Sequence, residues 1–352
     1  MIPSHFTVTF KEREYDESEF ASIIAKKYKT NHTEIPVHPE ELVHQIPGIL
    51  SRMDSPSGDG INSYIISEAI KKAGLKVAIS GLGGDELFAG YAYSKWYKRI
   101  AGQNGFWSNS GFLRNTAASI LDLKGSVRTK KFSNLLKISD PALYNIYPVL
   151  RAVFSPNEIS MLLPTASQPT SLETELQNKK QEIARFPFYS QFGIGDILGY
   201  TEGVLLKDSD QMSMANSIEL RVPFFDVDLV EYVLSIPDHF KKPTTPKKLL
   251  VDSMGSMIPE AIWNKKKMGF VLPWDRWLRK ELHSYCTLAI QNLMSRNIFQ
   301  KEILNNFWQQ FNLGDKSVSW AKSGHWLCLK SGWKMVLIKR SPVPYESPKP
   351  RL

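Results

Sequence analysis

Residues 80–91 form a glycine-rich segment, Ser-Gly-Leu-Gly-Gly-Asp-Glu-Leu-Phe-Ala-Gly-Tyr, that directly follows a short apolar run. The run over residues 77–80 is short, continuous and β-branched, which predicts a strand buried on both faces. Gly81, Gly83 and Gly84 allow a tight turn that brings backbone N–H groups close to an anion at the start of the next helix. A strand, a glycine turn and a helix in this order are typical of an α/β fold that binds phosphate.

Two acidic residues stand at the end of this turn. Asp85 and Glu86 would repel a bare phosphate, but they suit a site in which Mg²⁺ lies between a carboxylate and phosphate oxygens. The alternative is a structural turn whose acids interact favourably with the helix dipole. Because short glycine-rich loops are common, the glycines alone leave both interpretations open.

The first 91 residues alternate between strand and helix patterns. Residues 6–10 are β-branched and aromatic, which predicts a strand. Asp16 and Glu19 then predict a capping box at the start of a helix, and residues 33–37 return to an extended pattern. A second helix is predicted over residues 61–73 from its apolar spacing.

Beyond residue 91 the sequence changes character. Aromatic and leucine residues recur there at spacings of three and four, which indicates a mainly helical structure. The last residues are rich in proline and predict an extended tail. The predicted organisation is a partial α/β nucleotide-binding sheet over residues 1–92, a mainly helical part over 93–340 and a tail over 341–352.

The composition is that of an ordinary globular protein of 352 residues, with 42% hydrophobic and 22% charged residues. The apolar stretches are too short to cross a bilayer and the first residues carry no basic-then-apolar leader, so we expect a soluble, cytoplasmic protein without a membrane partner. Cys286 and Cys328 lie far apart, which gives no support for a disulfide framework or a zinc finger.

The net charge of +9 is distributed unevenly. Residues 241–267 contain seven lysines against Asp252 and Glu260, a local charge of +5. Such a cluster can neutralise the phosphates of a nucleotide or form a solvated surface. Arginine and aromatic residues do not alternate there as they would in a nucleic-acid groove, so no nucleic-acid partner is expected.

A third segment, residues 205–226, places several charged side chains among apolar ones. Asp208, Asp210 and Arg221 belong to this set, and such charges need partners if they are buried. An ion pair between Arg221 and a carboxylate, fixing helix positions without contacting substrate, is the expected outcome.

Six blocks of the sequence, in order, carry a resemblance to a known family. They are YDESEFA, DSPSGDGINSYIISEAIKKAG, SGLGGDELFAGY, SMANSIELRVPFFD, PKKLL and KKKMGFVLPWDRWL. On these blocks the chain, from about residue 8 to residue 278, is identified as a member of the asparagine synthetase B family. The resemblance implies an α/β fold of the PP-loop ATP pyrophosphatase type (adenine-nucleotide α-hydrolase-like), whose parallel sheet is incomplete here, with a large, mainly helical carboxy-terminal part.

The resemblance also implies a reaction. In the family, ATP adenylylates the side-chain carboxylate of aspartate with release of pyrophosphate, and ammonia then displaces AMP to leave an amide. By position, Val8 would offer backbone contacts to the adenine of ATP, and Ser80 and Gly81, with the loop glycines Gly83 and Gly84, would line the ATP site.

Two charged residues take the remaining roles that the resemblance implies. Asp85 would hold Mg²⁺ against the pyrophosphate, and Lys247 would stabilise charge on the phosphates and on the displacement transition state. A glycine loop, a metal-binding acid and a cation are what an adenylylation site requires. Asp54 is a weaker candidate, because a residue there serves equally well to cap the next turn.

The sequence departs from the family in three respects. The glutaminase domain with its amino-terminal cysteine nucleophile is absent, and so is the PP-loop, Ser-Gly-Gly-x-Asp-Ser. Leu82 stands where asparagine synthetases carry Glu, and a leucine side chain can neither bind a cation nor accept a proton.

These departures lead to one main hypothesis and two alternatives. The main one is a split or truncated synthetase that uses aspartate or another small carboxylate, with ammonia from a glutaminase partner chain or domain in a hetero- or homo-oligomer. Without the PP-loop strand, the strands at residues 6–10 and 77–80 are expected to be separated. The alternatives are a non-catalytic scaffold and a paralogue that amidates a sugar carboxylate in surface-polysaccharide assembly.

Overall fold

A computed structural model of the chain describes residues 2–54, 57–123, 125–164, 171–265, 272–296, 298–322 and 324. The predicted tail over residues 341–352, Cys328 and the block from Lys266 to Phe270 lie outside the described residues. No helix in the described ranges is both long enough and apolar enough to cross a bilayer.

Helices dominate the elements, which in chain order are β1 (Ser4–Thr9), α1 (Ser18–Tyr28), β2 (Asn31–Pro36), α2 (Pro39–Leu50), α3 (Gly60–Lys72), β3 (Val77–Ile79), α4 (Gly84–Leu87), α5 (Ala92–Ala101), α6 (Asn104–Asn109), α7 (Gly111–Asp122), α8 (Val127–Lys137), α9 (Leu143–Arg151), α10 (Pro156–Leu162), α11 (Ser171–Asn178), α12 (Lys180–Ile183), α13 (Phe188–Asp196), a π-helical segment (Ile197–Leu206), α14 (Lys207–Met214), β4 (Glu219–Arg221), a 3₁₀ turn (Pro223–Phe225), α15 (Val227–Ser235), α16 (Asp238–Lys241), α17 (Lys248–Met254), a second 3₁₀ turn (Gly255–Met257), α18 (Glu260–Trp263), α19 (Trp274–Trp277), α20 (His283–Ser295) and α21 (Lys301–Asn312).

The amino-terminal unit is the predicted strand, helix and strand. β1 and β2 pair in parallel, with Val8 opposite Ile35 in the register, and α1 connects them. The predicted capping box is absent: α1 begins at Ser18, whose backbone N–H donates to an Asp16 carboxylate oxygen at 3.1 Å. Asp16 therefore stabilises the turn before the helix rather than its third residue. The helix predicted over residues 61–73 is α3, and the mainly helical character beyond residue 91 is also confirmed.

β3 and β4 form a second parallel pair, in a different sheet from β1 and β2. The expected separation of the first strand from the strand before the glycine turn is thus present. The prediction that this strand is buried on both faces was wrong, because Val77 is 42% exposed and Ile79 is 76% exposed. A β-branched run encodes the strand, but only the tertiary packing decides what covers it.

Two large apolar cores hold these elements together. The first joins β1 to the carboxy-terminal helices: the fully buried Trp277 ring lies edge-on to Phe10 at 6.1 Å between centroids, and its indole N–H donates to Glu12 at 3.1 Å. The second joins α5, α9 and α13 through the rings of Tyr97, Tyr147 and Phe192. The first core draws residues from both of the predicted parts, 1–92 and 93–340, and their boundary stays a prediction.

A smaller apolar cluster fixes the glycine loop. Leu87 and Phe88 pack with Val233 of α15, and the Phe88 ring lies 5.9 Å from that of Phe224. Gly83 has φ of +98°, and a Cβ atom there would lie 2.8 Å from Cβ of Phe224. The loop therefore needs glycine both for its left-handed backbone and for its close packing.

Replacement of Gly83 should therefore destabilise the fold. We expect Gly83→Ala to lower the free energy of unfolding by on the order of 2 kcal/mol or more, from the left-handed backbone and the contact with Phe224. Gly81→Ala is the matched control, because a Cβ there meets nothing within 4 Å. Urea unfolding followed by tryptophan fluorescence measures both, and equal losses would contradict the packing described above.

Candidate active site

The loop after β3 is held by its own polar groups. The Ser80 N–H donates to the carbonyl oxygen of Arg221 at 2.8 Å, and the Ser80 hydroxyl accepts from the Leu82 N–H at 3.3 Å. The chain then turns through Gly83 into α4, which places Asp85 in the first turn of that helix. The sequence order of strand, glycine turn and helix is therefore realised.

Asp85 and Lys247 lie together, although 161 residues separate them in the sequence. Lys247 Nζ is 3.4 Å from Asp85 Oδ1, and the two side chains are 37% and 26% exposed. A Cβ atom at Gly90 would overlap the Asp85 carboxylate, so Gly90 leaves the space that this carboxylate occupies. Lys247 has φ of +56°, a strained backbone for a residue with a side chain, immediately before α17. This geometry directs its amine toward the glycine loop.

Both residues line one cavity of about 350 Å³. Its apolar wall includes Leu250, Ile262 and Trp263. Glu17 and Lys265, which form an ion pair with each other, also belong to the lining. A cavity with one apolar side and a few convergent charges can bind a small polar ligand with a defined orientation.

The other predicted nucleotide-site residues are not among the described residues that line this cavity. Val8 is 5% exposed within β1, in a different sheet from the strand before Ser80. Ser80, Gly81, Gly83 and Gly84 precede Asp85 directly in the loop but do not line the cavity as the described residues define it. The structure thus brings Asp85 and Lys247 together on the cavity, whereas Val8 is not among the described residues that line it.

Asp54 is the weaker sequence candidate. Its backbone N–H donates to Gln211 Oε1 at 2.9 Å, and the residue is exposed before the start of α3. This contact ties the loop to α14 and uses the backbone of Asp54 rather than its carboxylate.

The carboxylate ligand at this site suits a Mg²⁺ ion that is bound together with nucleotide phosphates. Within the described ranges, no group of three or more His, Cys, Asp or Glu side chains could enclose a metal ion. Mg²⁺ bound with phosphates commonly uses one or two carboxylates and completes its shell with water and phosphate oxygens. The partly exposed Asp85 carboxylate, beside a cation, fits that mode.

A buried polar network that sequence reasoning missed lies next to the loop. Arg151 binds the carboxylate of Asp196, which is 1% exposed and also accepts from the Tyr147 hydroxyl at 3.0 Å. The Arg151 guanidinium lies between two rings, 4.3 Å from the centroid of Tyr91 and 4.5 Å from that of Tyr200. The available signal was Asp196 inside a long, largely apolar run, residues 188–206, in which Glu202 is the other acidic residue.

Tyr91 joins this network to the glycine loop. Its hydroxyl donates to Glu86 Oε1 at 2.8 Å, and Glu86 is itself buried beside Asp85. Burial raises the pKa of Tyr91, with a further contribution from the charge of Glu86. The buried Glu86 thus stabilises the start of α4 through its hydrogen bond with Tyr91, whereas Asp85 lines the cavity.

On its other side the network reaches α14. The Tyr200 hydroxyl donates to Asp59 at 2.7 Å, and the Ser57 hydroxyl donates to Asp208. Asp208 is 3% exposed, and burial raises its pKa to about 6, with Asp59 adding to the effect. The buried charge in residues 205–226 is therefore Asp208. Arg221 does pair with a carboxylate, Glu219, but both side chains are more than half exposed and lie in one strand, so the pair fixes no helix.

The raised pKa of Asp208 predicts a pH-dependent stability. Between about pH 4 and pH 6 the folded chain holds a proton that the unfolded chain releases, so stability falls as pH rises through 6. We expect Asp208→Asn to reduce this fall by on the order of 2 kcal/mol. Urea unfolding at pH 4.5 and 7.5 measures the difference. Asp210→Asn, an exposed change in the same helix, is the control, and an equal effect there would contradict the assignment.

The sequence was compared with known proteins. It matches the asparagine synthase family over residues 3–330. It is 28% identical over 306 residues to asparagine synthetase [glutamine-hydrolyzing] 1 of Bacillus subtilis (strain 168), which covers 84% of this chain and 46% of that protein. It is 27% identical over 279 residues to a putative asparagine synthetase [glutamine-hydrolyzing] of Mycobacterium bovis, which covers 78% of this chain and 42% of that protein.

A fungal relative carries a different name. The amidase chyE of Penicillium rubens is 22% identical over 325 residues, 80% of this chain and 46% of that protein. The chain spans about half the length of these relatives. The match over residues 3–330, together with the strand, glycine loop and helix that carry Asp85, shows that the chain belongs to the asparagine synthase family.

Proposed function

We propose that this chain carries the synthetase half-reactions of an ATP-dependent amide-forming ligase. In the first step a substrate carboxylate oxygen attacks the α-phosphorus of ATP, and pyrophosphate leaves. In the second step ammonia attacks the acyl carbon, loses a proton, and AMP leaves. The observation that supports this proposal is the pairing of Asp85 with Lys247 on one cavity beside the glycine loop.

The two charged residues take complementary roles in this proposal. Lys247 binds the phosphate oxygens and stabilises the charge that develops on them as the phosphorus–oxygen bond breaks. Asp85 would hold Mg²⁺, which when bound would neutralise charge on the leaving pyrophosphate. Without a ligand the two side chains pair with each other at 3.4 Å. On nucleotide binding this ion pair would be replaced by contacts of Asp85 with the metal ion and of Lys247 with the phosphates.

The nucleotide is proposed to bind along the loop, in a fold of the PP-loop type. Gly81, Gly83 and Gly84 permit a close approach of phosphate, Ser80 lies at the end of β3, and backbone groups of Val8 would meet the adenine. β3 exposes Val77 and Ile79, and it pairs only with β4 among the described residues. We propose that a segment with the missing phosphate loop pairs there and brings the two sheets together.

The acceptor is proposed to be aspartate or another small carboxylate, with ammonia supplied by a glutaminase domain or partner chain. The printed names of the bacterial relatives, which specify glutamine hydrolysis, support this choice. Leu82 favours a second candidate, a homologue that has retained the fold without turnover, because a leucine supplies neither a cation ligand nor a base at this loop.

Charge removal at the site tests the ligase proposal. With Mg·ATP, aspartate and labelled pyrophosphate, Asp85→Asn and Lys247→Met should each reduce ATP–pyrophosphate exchange by about 10²-fold or more. Lys248→Met is the matched control, because Lys248 pairs with Asp252 at 2.6 Å, and its exchange should stay within about twofold.

The assay is run with the chain alone and with a second chain that supplies the phosphate loop. Retained exchange in both site variants would contradict the roles of Asp85 and Lys247. Calorimetric titration with Mg·ATP separates the two candidates: absence of nucleotide binding under both conditions would leave the non-catalytic homologue.

A further inference from the structure

α7 exposes its apolar face to solvent. Phe112, Leu113, Ile120 and Leu123, which follows the last residue of the helix, are 84%, 66%, 57% and 87% exposed. At 100° per residue these four side chains fall within one stripe about 100° wide. We call these four residues the α7 stripe. The opposite side of the helix carries Ala118, which is fully buried.

The contacts of α7 fix its orientation, in which the apolar face is exposed and the polar Arg114 side chain lies inside. Arg114 is 6% exposed and donates to the carbonyl oxygens of Leu136 and Ile138, both at 2.6 Å, so it ties the inner face of α7 to α8. The Arg114 guanidinium also lies 5.0 Å from the Trp107 ring. A helix locked in this orientation cannot rotate its apolar stripe inward without breaking these hydrogen bonds.

The same part of the chain carries a large positive charge. Residues 92–139 contain nine Lys and Arg residues and one acidic residue, Asp122, which is a sequence charge of +8. Not all of it lies at the surface, because Arg114 and Lys131 donate to backbone carbonyl oxygens within the fold and Lys98 pairs with Asp238 at 2.9 Å. Lys137 neutralises Asp122 at 2.8 Å. Arg99 and Arg128 are exposed and line an open, mainly apolar cavity of about 650 Å³ with Trp96, Trp107 and Phe132. Apolar and basic side chains thus occur together on α5 and on α8, the helix that packs against α7.

From these observations we infer that the α7–α8 hairpin binds the surface of an anionic lipid bilayer, with the α7 stripe inserted among the acyl chains and the basic residues on the lipid headgroups. α7 has 12 residues, about 18 Å of helix, which is too short to span a bilayer and sufficient to lie in its interface. Basic residues near such a surface strengthen this mode of binding.

Other occupants fit the hairpin less well. A second copy of the chain would bring the same exposed basic residues, Arg99 and Arg128 among them, to a symmetric contact, which repulsion opposes. A nucleic acid would satisfy the charge, but it would leave four exposed apolar side chains without a function. An anionic bilayer is the partner that satisfies both the charge and the apolar stripe. This inference does not depend on the proposed ligase activity.

Vesicle co-sedimentation tests the inference. The full chain is mixed with vesicles of phosphatidylcholine alone or with 30% phosphatidylserine in about 0.1 M salt. We expect binding to the anionic vesicles only, and a loss of at least fivefold in the partition coefficient at about 0.5 M salt. The double variant F112S/L123S should lose at least tenfold, and Arg128→Glu should also weaken binding.

Two matched controls separate a specific effect from a general one. Leu313→Ser changes a leucine that is 85% exposed outside the hairpin, and Lys71→Glu makes the same charge change on α3, and both should bind like the unchanged chain. Circular dichroism checks the fold of each variant. The inference is overturned by an absence of binding to anionic vesicles, by unchanged binding of F112S/L123S, by binding of DNA or RNA in place of vesicles, or by a dimer that F112S/L123S converts to a monomer.

Discussion

The site depends on the close approach of the glycine loop to the turn at residues 223–225. Because Gly83 has no side chain, the loop backbone comes within contact distance of Phe224, and α4 begins in the direction that points Asp85 into the cavity. Phe88 packs against the same phenylalanine from the far end of α4. One aromatic residue thus fixes both ends of the short helix that carries the acid. A helix of four residues has too few internal hydrogen bonds to hold its own direction, so this packing supplies it.

The Asp85–Lys247 pair contributes little to the stability of the fold. Both side chains are partly exposed, and a pair of this kind contributes about 0 to 1 kcal/mol to folding. The left-handed backbone at Lys247 costs on the order of 1 kcal/mol, which offsets most of that contribution. A strained residue that returns little stability is typical of a functional position. By contrast Asp196 and Tyr147 are fully buried and Arg151 is mostly buried, and their contacts support the helices next to the loop.

Sequence patterns predicted the secondary-structure elements more accurately than the burial and the contacts of those elements. The β-branched run at β3 and the apolar spacing of α3 were sufficient because they are local properties. The exposure of Ile79 depends on which strands are present to cover it, and no local pattern encodes that. The proximity of Lys247 to Asp85 followed from the family blocks rather than from spacing, since it joins distant segments. The Arg151–Asp196 pair was not predicted, because an acidic residue within an apolar run indicates a buried charge but does not indicate which distant residue pairs with it.

The positive charge of the chain lies in two regions, and only one of them is at the candidate active site. The lysines over residues 241–267 include Lys247 at the cavity, but residues 92–139 carry the larger local excess. The two basic regions occupy different elements. The cavity is lined by Glu17, Asp85 and residues between 246 and 265. The hairpin packs on α9, where Lys131 donates to the carbonyl oxygen of Leu150 at 2.6 Å. Burial lowers the pKa of Lys131 to about 8, so this lysine is better suited to anchoring the hairpin than to carrying surface charge. The α7 stripe shares no residue with the cavity lining, so the proposed bilayer contact and the proposed ligase site use different side chains.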